Sequence, residues 1–237
     1  MPKNALKVPR TDESIIYSAG INNRKEYLDW IELNGIGYLQ GVLTSIRVRE
    51  HGNIACLEED LKQHDNNQDH DGYAYAWLKE TFWKLGESKH FLDVGCNVGH
   101  LCHAIRRAKL FETVSGIDLA MVLVGFAKGL SAKFSIRDID FRHGDALDMQ
   151  YEDKKFDVVF SSHVLEHLPS IYLALKEQAR VSKIVTGFAP LNEHTSNREH
   201  LYIFTEESLG KVMDKVFNKW EVKVFENKVI AYGGTNE

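Results

Sequence analysis

The residues best able to move a proton or hold a cation lie in two short segments. His163, Glu166 and His167 share the string HVLEH, and His194 and His200 follow in LNEHTSNREHLYIF. An imidazole with an ordinary pKa near 6.5 can take a proton from an alcohol, amine or acid, and a neighbouring carboxylate can orient it. On that reading His167 is the base and Glu166 its partner. The set His163, Glu166, His167 and His200 also suits a divalent metal that clamps a substrate and acidifies its hydroxyl. A plainer role stays open too, in which the Glu-His pair and His200 only line and hydrogen-bond the wall of a site. Taken as H-x-x-E-H, the string matches a zinc-protease pattern that requires one continuous helix. Here an apolar strand, FDVVFSS, runs into His163 and Pro169 follows at once, which argues against it. His51, His64, His70, His90, His100, His103 and His143 share no spacing, and surface or capping positions are expected for them.

A binding function is written into FLDVGCNVGH (91–100), where an acidic residue and two glycines separate an apolar run from a helical pattern. Glycine is needed where the chain turns sharply and a ligand approaches the backbone. The dinucleotide pattern G-x-G-x-x-G fails, because from Gly95 its second and third glycines fall on Asn97 and His100. Farther on, Asp118 closes VSGID, where two carboxylate oxygens can accept both hydroxyls of a ribose. Asp145 closes the turn HGDA.

These residues need a scaffold that delivers strand ends to one edge. The pattern predicts strands at 90–95, 113–118, 139–145, 156–162 and 182–189. Helices are predicted at 73–85, 101–110, 119–131, 171–181 and 205–217, the last with Thr205 as N-cap and Ser208 in its first turn. KWEVKVFE and KVIAYGG read as a hairpin joined at Asn227. Strands alternating with long helices imply an α/β fold, a parallel sheet covered on both faces with a final antiparallel element. Ligands of such sheets bind at the carboxyl ends of the strands.

In the register D-x-G-x-G-x-G, Asp93, Gly95 and Gly99 match and Asn97 stands at the middle glycine, a position where Asn can adopt the left-handed conformation. This resembles motif I of the class I S-adenosylmethionine-dependent methyltransferases, and the resemblance covers about residues 73–237. It implies a Rossmann-like, mostly parallel seven-stranded sheet with helices on both faces. It also implies S-adenosyl-L-methionine bound by Asp93, Gly95, Cys96, Asn97, Gly99, Asp118, Leu119, Asp145, Ala146 and the backbone near Ser161. Asp118 then takes the ribose and Asp145 the adenine amino group, while the strand ending at Ser161 faces the methionine moiety and the substrate. The reaction implied is methyl transfer to a hydroxyl or amine of a small molecule or sugar. HVLEH with His200 also resembles the E-x-x-E-H string and later His of the small-RNA 3′-terminal 2′-O-methyltransferases, with His163 in place of the first Glu. That implies metal-dependent ribose methylation as an alternative. A non-catalytic cofactor-binding homologue is the third reading; it would lose the Glu-His pair, which is present here.

The chain has 237 residues, 43% hydrophobic and 27% charged, enough for one large α/β domain or one domain plus an elaboration. Its net charge of −5 argues against gripping a nucleic-acid backbone. Residues 1–88 carry 10 Lys/Arg against 14 Asp/Glu, so most of the acidity sits in front of the glycine loop. Residues 1–72 are therefore expected to form a mainly helical, acidic cap over a domain spanning 73–237, favouring a neutral or cationic substrate. Its apolar stripe around Tyr27, Trp30 and Leu39 suits core or a homodimer surface, and Tyr17, Tyr73 and Tyr75 are candidates to touch cofactor or substrate. NNQDHDG approaches a calcium loop but lacks the first Asp and has Leu78 where the bidentate Glu belongs. No apolar run reaches bilayer length and no leader is evident. With Cys56, Cys96 and Cys102 as the only cysteines, a cytoplasmic protein without disulfides is expected.

Overall fold

A computed structural model describes residues 89–192, 200–225 and 229–236. The expected cap, the helix at 73–85, the calcium-like loop, Tyr17, Tyr73, Tyr75, Cys56, His51, His64, His70, His194 and the hairpin joint at Asn227 lie outside them.

The sheet has seven strands, and five of them are parallel: β1 (His90–Val94), β2 (Thr113–Asp118), β3 (Ile139–His143), β4 (Phe156–Ser162) and β5 (Ser182–Pro190). The last two, β6 (Lys219–Phe225) and β7 (Val229–Thr235), add an antiparallel hairpin, giving the order β3-β2-β1-β4-β5-β7-β6. Because β1 pairs with both β2 and β4, strand order reverses beside it. That reversal opens a crevice at the carboxyl ends, where open α/β sheets bind their ligands.

Alternation along β1 shows why the sheet must be covered twice. Phe91 is buried with residues of α1 (His100–Ala108) and α2 (Met121–Lys133), whereas Leu92 and Val94 are buried with α3 (Ile171–Val181) and α4 (Glu206–Val216). The α4 start follows the sequence closely: Thr205 Oγ1 accepts from Ser208 N–H at 3.0 Å and Ser208 Oγ accepts from Thr205 N–H at 2.9 Å. This reciprocal cap satisfies two of the helix's orphan donors.

Of the boundaries that differ from the sequence pattern, two are set by an aspartate. The second helix begins at Met121 rather than 119 because Asp118 Oδ1 accepts from Ala120 N–H at 2.8 Å and keeps Ala120 extended. The third strand stops at His143 because Asp145 Oδ1 accepts from Leu147 N–H at 2.9 Å, folding the chain into a turn. Among the described residues no helix is long and apolar enough to cross a membrane.

His103 corrects the expectation of a surface position. It is 2% exposed, pairs through Nε2 with Ser131 Oγ at 2.8 Å and meets the Phe141 ring edge-on. Burial, helped by the charges of His100 and Arg107, pulls its pKa down to about 4. A histidine depressed in the folded state stabilises fully above its ordinary pKa, near 6.5, and loses that contribution as pH falls through about 4, at most about 3 kcal/mol. His103→Gln is expected to flatten the decline of melting temperature between pH 6.5 and 4. An unchanged slope would assign the acid sensitivity to other groups.

Candidate active site

The loop leaving β1 is built from left-handed residues. Gly95, Asn97 and Gly99 have φ of 73°, 53° and 80°, so the chain winds tightly before α1 begins at His100. Asn97 holds its own turn, since its Oδ1 accepts from Val98 N–H at 2.7 Å. Gly95 is required for a second reason: a Cβ there would lie 2.4 Å from Val164 Cγ2. The glycine loop therefore lies directly against the segment that follows β4. Cys96 is buried within the loop, and burial, with the charges of Asp118 and Asp93, pushes its thiol well up, which makes it a poor nucleophile.

Asp118 ties the loop to the end of β2. Its Oδ2 accepts from Asn97 N–H at 2.8 Å while Oδ1 accepts from Ala120 N–H. The β3 end is drawn in by Gly144 N–H, which donates to the Asp118 carbonyl at 3.0 Å, and by His143 Nε2, which donates to the Leu119 carbonyl at 3.0 Å. Asp118, Leu119, Asp145 and Ala146 thus stand on two adjoining strand ends, as the sequence predicts. Asp93 is different: it is 4% exposed, and Cys102 Sγ lies 3.5 Å from its Oδ2 beneath the loop.

Beyond β4 the chain forms one short 3-10 turn, Leu165–His167, closed before Pro169. No continuous helix carries His163 and His167, as the rejected protease pattern would need. His163 is itself left-handed, with φ of 54°, and its N–H donates to the Phe188 carbonyl of β5 at 3.0 Å. A left-handed conformation costs free energy in a residue other than glycine, and such residues cluster at functional sites.

Glu166 is the centre of this turn. It is fully buried, and neither carboxylate oxygen has a well-aligned hydrogen bond among the described residues. His163 Nδ1 lies 3.2 Å from its Oε1, and His167 Nε2 lies 4.0 Å from the same oxygen. Burial works to raise the Glu166 pKa, but the contact with His163 and the charges of His167 and His163 outweigh it and hold the carboxyl below its ordinary value. Leu201 N–H donates to the Glu166 carbonyl at 2.7 Å, which brings the returning segment and His200 onto the turn. The His167 and His200 rings then meet edge-on at 4.9 Å between centroids.

Of the proposed metal set, Glu166, His167 and His200 each offer a ligand atom, all within 4.8 Å of one another. His163 stands outside that triplet, against the carboxylate. Ser161 is fully buried, its hydroxyl bonds to Tyr232 and Gln178, and its carbonyl accepts from the Tyr232 hydroxyl at 3.3 Å. No local pattern marks Tyr232: it lies on the last strand, and only the β5-β7 pairing brings it beneath β4.

Comparison with known proteins agrees with this geometry. Residues 92–184 match the family described as a methyltransferase domain. Ajmaline N-methyltransferase of Rauvolfia serpentina is 38% identical over 96 residues, 40% of this chain and 32% of its own length. Demethylmenaquinone methyltransferase of Alkalihalophilus pseudofirmus is 32% identical over 154 residues, 61% of this chain and 64% of its own. The chain thus spans about a third to just under two thirds of the length of these curated relatives. Magnesium protoporphyrin IX methyltransferase from Synechocystis, solved with bound SAH, superimposes with a TM-score of 0.62 at 14% identity, covering 91% of this chain and all of that one. Residues 92–184 thus match a methyltransferase domain, set on a sheet whose order is that of the class I S-adenosylmethionine-dependent methyltransferase fold.

Proposed function

We propose that the protein transfers the methyl group of S-adenosylmethionine to a hydroxyl or amine of a small molecule or sugar, with His167 taking the acceptor's proton and Glu166 fixing the imidazoles. The contact of Gly95 with Val164 carries this reading, because it sets the glycine loop and the Glu-His turn side by side in one wall.

The residues fit that cofactor. Asp118 is half-buried at the β2 end with its carboxylate held by two backbone donors, ready for the ribose hydroxyls. Asp145, set on the adjoining β3 end, is positioned for the adenine amino group. The bound cofactor supplies an electrophilic methyl on a sulfonium, open to in-line displacement. Since positioning supplies much of the rate of such a step, the rigid turn at 163–167 orients the acceptor, and an imidazole beside a buried carboxylate receives its proton. The names of the ajmaline and demethylmenaquinone methyltransferases support a small-molecule acceptor.

The test is incubation with methyl-labelled S-adenosylmethionine and a panel of phenols, amines, sugars and a short RNA. Label in a phenol, amine or sugar is the expected result. Label in the RNA alone moves the reading to ribose methylation, and cofactor binding with no label in any acceptor moves it to a non-catalytic homologue.

A second reading has its own observation, the convergence of Glu166, His167 and His200 within 4.8 Å. A divalent cation there would be held by one carboxylate and two imidazoles, a donor set suited to zinc or manganese, with His163 Nδ1 3.2 Å from the carboxylate on its other side. On this reading either ion raises the melting temperature, and Glu166→Ala removes the rise. No rise, together with full labelling in chelator, eliminates it.

A further inference from the structure

Beneath the Glu-His turn lies a polar group of side chains that the proposed chemistry does not use. Ser161, Gln178 and Tyr232 come from β4, α3 and β7, and all three are buried, Ser161 and Gln178 completely. The Tyr232 hydroxyl shares a hydrogen bond with the Ser161 hydroxyl and also donates to the Ser161 carbonyl at 3.3 Å. Gln178 Nε2 donates to Ser161 Oγ at 3.4 Å, and Thr186 Oγ1 donates to the Tyr232 carbonyl at 2.9 Å.

To reach Ser161, the phenol must cross β5 at Gly187. A Cβ at that position would lie 2.0 Å from the Ser161 carbonyl oxygen and 2.5 Å from the Tyr232 hydroxyl, so no other residue leaves the crossing open. Replacing such a network by apolar groups of the same shape is often neutral for stability. What satisfied buried hydrogen bonds add is a single, rigid arrangement. The element made rigid here is the carboxyl end of β4. Ser162 follows Ser161, His163 follows with its left-handed backbone bonded to Phe188, and the 3-10 turn with Glu166 hangs from it.

We propose that Tyr232, acting through Ser161, is a positioning residue that sets the end of β4 and thereby the placement of His163, Glu166 and His167. That these side chains face an acceptor rests on the function proposed above; that Tyr232 places them does not.

The test uses the full chain carrying Tyr232→Phe, with the histidine Hε1 resonances recorded by carbon-proton correlation and assigned by single substitutions. The signals of His163, His167 and His200 are expected to shift, while those of His90 and His143, at other edges of the sheet, stay in place. Affinity for S-adenosylhomocysteine by calorimetry is expected within about threefold of wild type, because the glycine loop and Asp118 are untouched. Once the panel has identified an acceptor, kcat should fall at least tenfold with KM for the cofactor nearly constant. Unmoved signals for the three site histidines overturn the proposal.

Tyr232→Phe leaves Ser161 short of a partner and could unfold the chain for that reason alone, so Tyr232→Phe with Ser161→Ala is the companion variant. Recovered stability with the site signals still displaced supports positioning, and recovered stability with wild-type signals reduces Tyr232 to packing. Failure of the wild type to bind S-adenosylhomocysteine would overturn the proposed function and leave the resonance comparison intact.

Discussion

Asp118→Ala is expected to weaken binding of S-adenosylmethionine at least 100-fold in calorimetry, the largest loss from any single change on the cofactor side. Two effects combine. Hydrogen bonds from two ribose hydroxyls to a carboxylate are worth about 1.5–3 kcal/mol each, and two of them account for a factor of 100 or more. The same carboxylate also takes the backbone N–H groups of Asn97 and Ala120 at 2.8 Å, so its removal frees the left-handed loop as well as deleting the ligand contact. Asp118→Asn keeps the shape and one acceptor oxygen, and its loss should be intermediate. Unchanged affinity in Asp118→Ala would overturn the ribose assignment.

Glu166→Ala should be the most damaging change on the acceptor side. A fully buried carboxylate between two imidazoles cannot be removed without leaving those rings facing a cavity, and breaking a buried pair costs about 3–5 kcal/mol. The melting temperature is expected to drop accordingly, and methyl transfer to fall about 100-fold or more as the base loses its orientation. Glu166→Gln separates the two effects, because the amide keeps the volume but not the charge: it should avoid the cavity cost while still lacking the charge, leaving a smaller stability gap, and the rate should stay low. The pH dependence has a defined sign. A carboxyl whose pKa is lowered in the folded state stabilises fully above its ordinary pKa of about 4.3, and that contribution is lost as pH falls through the lower folded value. The stability gap between wild type and Glu166→Gln should therefore close in acid below about pH 4. A gap that persists there would show that the charge on Glu166 is not what stabilises the turn.

Local patterns carried much of this architecture. The short runs at 90–95, 113–118 and 156–162, each bounded by turn residues, read as strands, and the Thr205 and Ser208 cap is a short-range hydrogen-bond pair visible in four residues of text. Asn97 could be assigned a left-handed conformation because few side chains tolerate it, and its φ is 53°. Where the pattern erred, a side chain competed with the backbone: Asp118 delays α2 and Asp145 ends β3, and neither competition is encoded in hydrophobic periodicity. His103 went astray for a related reason. Its burial depends on Ser131 and Phe141, partners 28 and 38 positions away, which no local spacing can report.

By itself, then, the sequence determined the alternation of strands and helices, the glycine loop and the acidic residues at the strand ends, because each follows from periodicity of two or 3.6 or from a turn that few residues can make. Only the tertiary structure decided how the histidines divide. HVLEH reads as a His167 base oriented by Glu166, yet a left-handed His163 and one 3-10 turn set His163 nearer the carboxylate, at 3.2 Å against 4.0 Å for His167, whose ring meets His200. The tertiary structure alone also placed Tyr232 beneath them. Contacts of that kind are made by chain segments tens of residues apart whose approach is fixed by strand order and by room left at a glycine, and neither quantity exists until the sheet has formed.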